Sequence, residues 1–374
     1  MIAQRRIALV SCVVVPTICW LFLAMFMHVY LGRAWLFADV PGYVEDSLNW
    51  RTPFRDVHVP GYPLLVALVR GLTLGLVPNL ILMYAINYTA MLGCCAGLLR
   101  LGKTGLVGLP GTILVLGVFV LWPFVGLNAI VSPLAEVPAM AFFLWGLVFL
   151  FESRIWRASI LFGLGMLCHK GLWPFVAFVI LGEYAASRRT VGRELGMLAV
   201  TAGPLVILWI LCAIHYGDPL WIVSTSLSMG AESRKAYVPF EGLWHTLSQD
   251  GLKGLVKGSV VLALIAFLGV CAVWSFRLRR EVRWVALGIV ASALFWFAFL
   301  TKLELLAAVR FSRLLVVIPV WYLAETTAVE SKRRNQTGWV VALLLLLLVS
   351  QFAAAWHMHQ KLCDEGIPLQ YVRS

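Results

Sequence analysis

About ten hydrophobic runs follow one another along this 374-residue chain, each near the roughly 20 residues a helix needs to cross ~30 Å of hydrocarbon. They lie at 7–31, 79–99, 105–126, 133–151, 158–181, 196–214, 256–275, 285–301, 311–327 and 338–356. No water-soluble core absorbs that much apolar chain. Charged residues make up 13% and hydrophobic ones 61%, whereas soluble domains carry about 25% charge. The expected fold is an all-α polytopic membrane protein of about ten to eleven transmembrane helices, because a helix satisfies its own backbone hydrogen bonds in lipid. The block 61–77 is shorter and interrupted by Arg70 and several glycines, so it reads as an external juxtamembrane helix rather than a full span.

The basic residues then sort themselves. Arg5/Arg6, Arg100/Lys103, Arg154/Arg157, Arg188/Arg189/Arg193, Arg277/Arg279/Arg280/Arg283 and Lys332/Arg333/Arg334 nearly all fall on one side, the cytoplasmic one by the positive-inside rule. The segment 158–194 is the exception, since a single crossing would split its two basic flanks between faces. A hairpin of two short helices meeting near Lys170-Gly171 restores the alternation. That gives about eleven crossings, with the N-terminus inside, the C-terminus outside, and external segments at 32–77 and 215–255. The first run follows Arg5 and Arg6 as a signal peptide would, but it is long and lacks a small-x-small cleavage site, so it reads as a retained anchor.

A net charge of +12 raises nucleic acid as a partner. The charges are spread over short loops with no aromatic-interleaved groove, so anionic membrane lipid accounts for them and no nucleic-acid partner is expected. The eight cysteines show no metal-ligand spacing and sit mostly in apolar runs as small core residues. No linker or fixed-period repeat divides the chain, so 1–374 reads as one membrane domain.

Between the first two runs, the stretch from Gly32 to Gly61 carries Asp39, Tyr43, Glu45, Asp46, Arg51, Arg55, Asp56 and His58. It is too polar to cross a bilayer. Asp39 precedes Pro41, which suits the first turn of a helix, where its missing N–H costs little. In such a helix Asp39, Tyr43 and Asp46 share a face and Glu45 points elsewhere. Asp39 is then either a proton-handling carboxylate or an N-cap. The following His58-Val59-Pro60-Gly61-Tyr62-Pro63 is stiffened by its prolines, and either seats a ligand or is a turn leading into a helix.

Further along, three places put charge at membrane depth, where charge is costly and marks function by default. Glu136 opens the 133–151 run on the external side with no basic residue near it in sequence, so its partner must come from elsewhere. Lys170, within Cys168-His169-Lys170-Gly171, needs an anion or must snorkel to the interface. Arg310 and Arg313, one helical turn apart at the external start of the 311–327 run, either form a phosphate clamp, or anchor at the interface or pair with Glu304. Together these groups suit a lipid-linked phosphate. One carboxylate would act as general base on an acceptor hydroxyl, and the cations would hold the departing phosphate. A divalent metal ion, Mg or Mn, held by Asp39 and Glu136 would share that work.

The ordered series Asp39, Tyr43 and Glu45, then Pro60-Gly61-Tyr62-Pro63-Leu64-Leu65, Glu136 and Lys170-Gly171 resembles the GT-C membrane glycosyltransferases that use polyprenyl-phosphate sugars. The nearest branches are the protein O-mannosyltransferases and the lipid A aminoarabinose transferases. The likeness covers about the first 180 residues. It departs in having only a short tail after Trp356, where many members carry a soluble domain, and in having Glu136 where Asp is common. The resemblance implies inverting transfer of a sugar from a lipid-linked donor to a glycan, lipid or protein acceptor, with Asp39 as general base and Glu136 as second catalytic carboxylate. Tyr43, Glu45, His58, Tyr62, Lys170, Arg310 and Arg313 would bind substrate, and 215–255 would cover the site. It also implies a bacterial inner membrane and a periplasmic or extracellular site. Two rivals remain at this level: a transporter or lipid flippase, and a non-catalytic subunit of a glycan-assembly complex.

Overall fold

The structure, a computed structural model, describes residues 10–21, 39–48, 59–102, 115–120, 134–187, 191–221, 248, 251–298 and 312–326, with the backbone path alone at 39–41, 187, 191, 251–261 and 326. Among the described residues there is no strand. In chain order the helices are α1 (Val10–Leu21), α2 (Asp39–Leu48), α3 (Gly61–Leu72), α4 (Asn79–Leu101), α5 (Glu136–Phe151) and α6 (Ile155–Cys168). After a 3-10 turn (Lys170–Leu172) come α7 (Trp173–Ser187), α8 (Val191–Tyr216), α9 (Gly251–Arg277) and α10 (Arg280–Ala298), then a 3-10 turn (Arg313–Val316) and α11 (Val317–Thr326). Residues 115–120 are also helical.

By length and hydropathy, three stretches qualify directly as spans: Asn79–Leu101, Gly192–Tyr216 and Arg280–Ala298. The runs 7–31, 105–126 and 311–327 are described in part, and 338–356 lies outside the described residues. The run 158–181 is not one helix. It breaks at His169, whose backbone is extended (φ −153°, ψ 124°), and resumes at Lys170. The block 61–77 is a 12-residue helix that ends in a turn with left-handed Leu74 and Gly75, too short to cross. Helix α9 begins at Gly251, so the external segment expected over 215–255 ends sooner than hydropathy suggested.

Packing directions tie these helices into one bundle with two unlike ends. Helices α4 and α5 run parallel: Cys94 meets the Val137 carbonyl, Trp145 donates to the Gly93 carbonyl, and Arg100 bonds Glu152. Helices α5 and α6 are antiparallel, with Gly146 against Phe162 and Gly165 against Ala139. Helices α6 and α8 are parallel, with Gly196 under Trp156 and Gly163 beside Thr201 and Pro204. Helices α7 and α10 are antiparallel: Gly182 abuts the Trp284 backbone, Gly288 abuts Phe178, and Trp296 donates to the Gly171 carbonyl. Small residues let backbones touch, which is how helices associate where lipid offers no hydrophobic drive.

One end of the bundle therefore collects Arg100, Arg154, Arg157, Arg193, Arg277 and Arg279, with the ion pairs Arg100–Glu152 and Arg279–Glu325. The other end collects α2, α3, the start of α5 and the turn between α6 and α7. Outward-facing residues such as Ile207, Ile210 and Ile214 are exposed and apolar, whereas Asn87, Glu136, Ser159, Ser292 and Arg313 are buried. That inversion of the soluble pattern is what a lipid solvent produces.

Candidate functional site

At the end away from the basic residues, α2 is docked by its tyrosine. Tyr43 and Asp46 are buried and Glu45 is exposed, the face expected from the i, i+4, i+7 spacing that begins at Asp39. The Tyr43 ring meets the Tyr62 ring edge-on, with centroids 5.1 Å apart and planes at 86°. Both belong to a small apolar cluster with Val66, Met83, Leu134 and Ala135, which joins α2, α3 and α4 to the residues just before Glu136. The far end of α2 is tied down as Asn79 donates to the Ser47 hydroxyl (3.1 Å).

Helix α3 reaches this position because Gly61 has no side chain. A Cβ there would stand 2.5 Å from the Leu167 carbonyl carbon and oxygen, so α3 begins directly against the last turn of α6. Tyr62 follows, fully buried, with its hydroxyl accepting from Asn87 Nδ2 at 2.6 Å. The same amide nitrogen bonds the Met83 carbonyl at 3.0 Å. Burial pushes the Tyr62 phenol well above its ordinary value; the Asn87 bond opposes this and the nearby Glu136 charge adds to it. Tyr62 therefore stays a neutral hydroxyl at any physiological pH.

Glu136 is the first residue of α5, where the helix dipole favours a carboxylate, and it is completely buried. Its Oε1 lies 3.8 Å from His169 Nε2, beyond hydrogen-bond range but close enough for one small shift to make the bond. His169 Nδ1 accepts the Gly171 N–H at 2.9 Å. An accepting Nδ1 carries no proton, so the geometry assigns the imidazole proton to Nε2, on the side of Glu136. Protonating the ring fully would cost the Gly171 bond. Trp296 and Trp173 pin the same turn from outside, through the carbonyls of Gly171 and Met166, each at 3.0 Å. Lys170 sits in this clamped turn between His169 and Gly171. Helix α6 has 14 residues, about 21 Å at 1.5 Å per residue, so from the basic end the turn stops several ångströms short of crossing ~30 Å of hydrocarbon.

Arg313 lies deeper. It is fully buried, with its guanidinium 3.7 Å from the Phe119 ring centroid and Nη2 3.4 Å from the Met91 sulfur. Its Nε and Nη1 have no hydrogen-bond partner among the described residues. Asn87, Met91 and Cys94 stand at i, i+4 and i+7 on α4, so one helix face runs from the Tyr62 hydroxyl to this guanidinium.

The structure thus brings together Tyr43, Tyr62, Glu136 and the turn that holds Lys170. Asp39 opens α2 one turn before Tyr43, and its side chain lies outside the described residues, as do His58 and Arg310. Glu45 is turned off the shared face toward the exposed side of α2. Arg313 is in the core rather than at a water-facing edge, and Arg310, its expected partner in a phosphate clamp, lies outside the described residues. Among the described residues no group of three or more His, Cys, Asp or Glu side chains is placed to hold a metal. Of the two carboxylates expected to hold a magnesium or manganese ion, Glu136 is described and faces His169, and the Asp39 side chain lies outside the described residues.

Sequence reasoning missed His169, Asn87 and Trp296 as contributors. His169 was adjacent to a residue already singled out. An amide such as Asn87 in mid-span was the available signal, since a buried amide demands partners.

A bundle whose helices are apolar outside and bury polar groups within defines an integral membrane protein, and the meeting of Tyr43, Tyr62, Glu136 and His169 is its candidate site. The EpsG family profile matches residues 17–371, nearly the whole chain, and the chain belongs to the EpsG family. That family is one of membrane polymerases and glycosyltransferase-like proteins, which makes this chain a membrane protein of polysaccharide assembly. A comparison with curated proteins found no match.

Proposed function

We propose that this protein is a GT-C-type glycosyltransferase, which moves a sugar from a polyprenyl-phosphate donor to an acceptor hydroxyl on the face away from the basic end. By the positive-inside rule that face is external, the periplasmic side of a bacterial inner membrane. The observation that carries the reading is the meeting of α2 and α3 with the start of α5 and the His169–Lys170 turn, because it gathers carboxylate, hydroxyl, imidazole and ammonium groups beside lipid.

In the proposed step the acceptor oxygen bonds the anomeric carbon as the bond from that carbon to the phosphate oxygen breaks. The configuration inverts and the transition state resembles an oxocarbenium ion. The acceptor proton passes to Asp39. The electron pair of the broken bond stays on the phosphate, whose growing charge Lys170 stabilises in a site of low dielectric. Arg313, with two donors that find no partner among the described residues, adds positive potential from along the same α4 face. Glu136 faces His169 at the Lys170 turn, and Tyr62 with Tyr43 positions α2. The acceptor is a glycan, lipid or protein hydroxyl.

The test is transfer from a synthetic polyprenyl-phosphate sugar by purified protein. Asp39→Asn is expected to lower the rate by about 10²–10⁴. Tyr43→Phe, which keeps the ring contact with Tyr62, serves as the folded control. A folded Asp39→Asn protein with near-wild-type transfer overturns the base assignment.

A further inference from the structure

At the basic end, the turn between α5 and α6 and the start of α8 form an open cavity of about 390 Å³ lined by Ser153, Arg154, Ile155, Trp156, Arg157 and Arg193. Nothing in the proposed transfer uses it. Ser153 is left-handed (φ 62°), and Arg154 N bonds back to the Phe149 carbonyl at 2.8 Å, which folds the following arginines over the end of α5. Arg154 lies 3.6 Å from Glu152, but that carboxylate is already held by Arg100 at 2.8 Å. Arg157 rests on the Phe149 ring at 5.9 Å, and neither it nor Arg193 has a carboxylate partner among the described residues. Three arginines and no carboxylate line the cavity. Helices α6 and α8 are parallel, so both present their N-termini, the positive ends of their dipoles, at this same face.

The surface running from the cavity toward the bilayer centre is apolar. Trp156, Ile160 and Leu164 stand four apart on α6, and Leu195 and Leu198 lie on the neighbouring α8; all are exposed. An anionic site that continues into an apolar strip with an interfacial tryptophan at the junction matches a molecule with a charged head and acyl tails. We propose that this cavity is a binding site for an anionic phospholipid, with the headgroup phosphate among Arg154, Arg157 and Arg193 and the acyl chains along α6 and α8.

The test is native mass spectrometry of the full chain in detergent, titrated with dioleoyl-phosphatidylglycerol or dioleoyl-phosphatidylcholine. Phosphatidylglycerol is expected to be retained about tenfold more strongly, and Arg157→Gln/Arg193→Gln to bring it down to the phosphatidylcholine level. Arg280→Gln, at the same end but outside the cavity, should leave retention unchanged. Glycerol phosphate at equal concentration should not displace the lipid. Equal retention of the two lipids, or wild-type retention by the double variant, overturns the proposal. So does displacement by glycerol phosphate, which would make this a plain phosphate site. If the double variant does not fold, Arg193→Gln alone, in the exposed first turn of α8, should lower retention at least twofold, and no change there overturns the proposal equally.

Discussion

The two ends of this bundle solve the problem of charge in opposite ways. At the basic end, the arginines are exposed and some pair across the surface: Arg100 and Arg279 are each 61% exposed and bonded to Glu152 and Glu325. Pairs of that kind contribute little, about 0–1 kcal/mol. At the other end Glu136, Tyr62 and Asn87 have no exposed surface, and each has been taken out of water at a cost. Orientation in the membrane is reason enough for the first arrangement. The second needs a reason beyond folding, because well-packed apolar residues would fill the same space at lower cost.

Substitutions can break that contrast. The largest effect is expected from Glu136→Gln, which keeps the shape but removes the charge facing His169; transfer should fall about a hundredfold while thermal stability holds or rises slightly. The matching change at the basic end, Glu152→Gln, should leave transfer within about twofold, and a comparable loss there would erase the distinction between the ends. Next is Gly61→Val, whose added atoms collide with the Leu167 backbone; a loss of about 2–3 kcal/mol is expected in detergent unfolding, together with loss of transfer. Tyr62→Phe deletes the hydroxyl that accepts from Asn87 and should cost about 1–2 kcal/mol, read as a lowered Tm. Smallest is Arg279→Gln, expected to change stability by less than about 1 kcal/mol; a larger loss would show that the basic end is more than an orientation signal.

Much of the fold was legible in the sequence because its rules are local. Transfer free energy over about 20 residues located α4, α8 and α10, and the side-to-side alternation of Arg and Lys required the break that the structure places at His169. Helical spacing placed Tyr43 and Asp46 on the buried face of α2 and Glu45 off it. The site was legible only as a set of unpaired names. Glu136 was a carboxylate in search of a partner, and nothing in its neighbourhood pointed to an imidazole 33 residues further on. Arg313 looked like an interface cation because it opens a hydrophobic run, and its burial under Phe119 and Met91 depends on a contact across 222 residues.

By itself, then, the sequence determined a helical membrane protein, its one-sided charge and the residues costly enough at membrane depth to need explaining. Each of these follows from the free energy of moving a local segment from water to lipid. Tertiary structure alone decided which of those residues meet. That Gly61 lets α3 touch α6, that Glu136 faces the proton of His169 and that Arg313 is sealed in the core all depend on how distant helices pack. Packing of that kind is set by steric fit between backbones, which hydropathy does not encode.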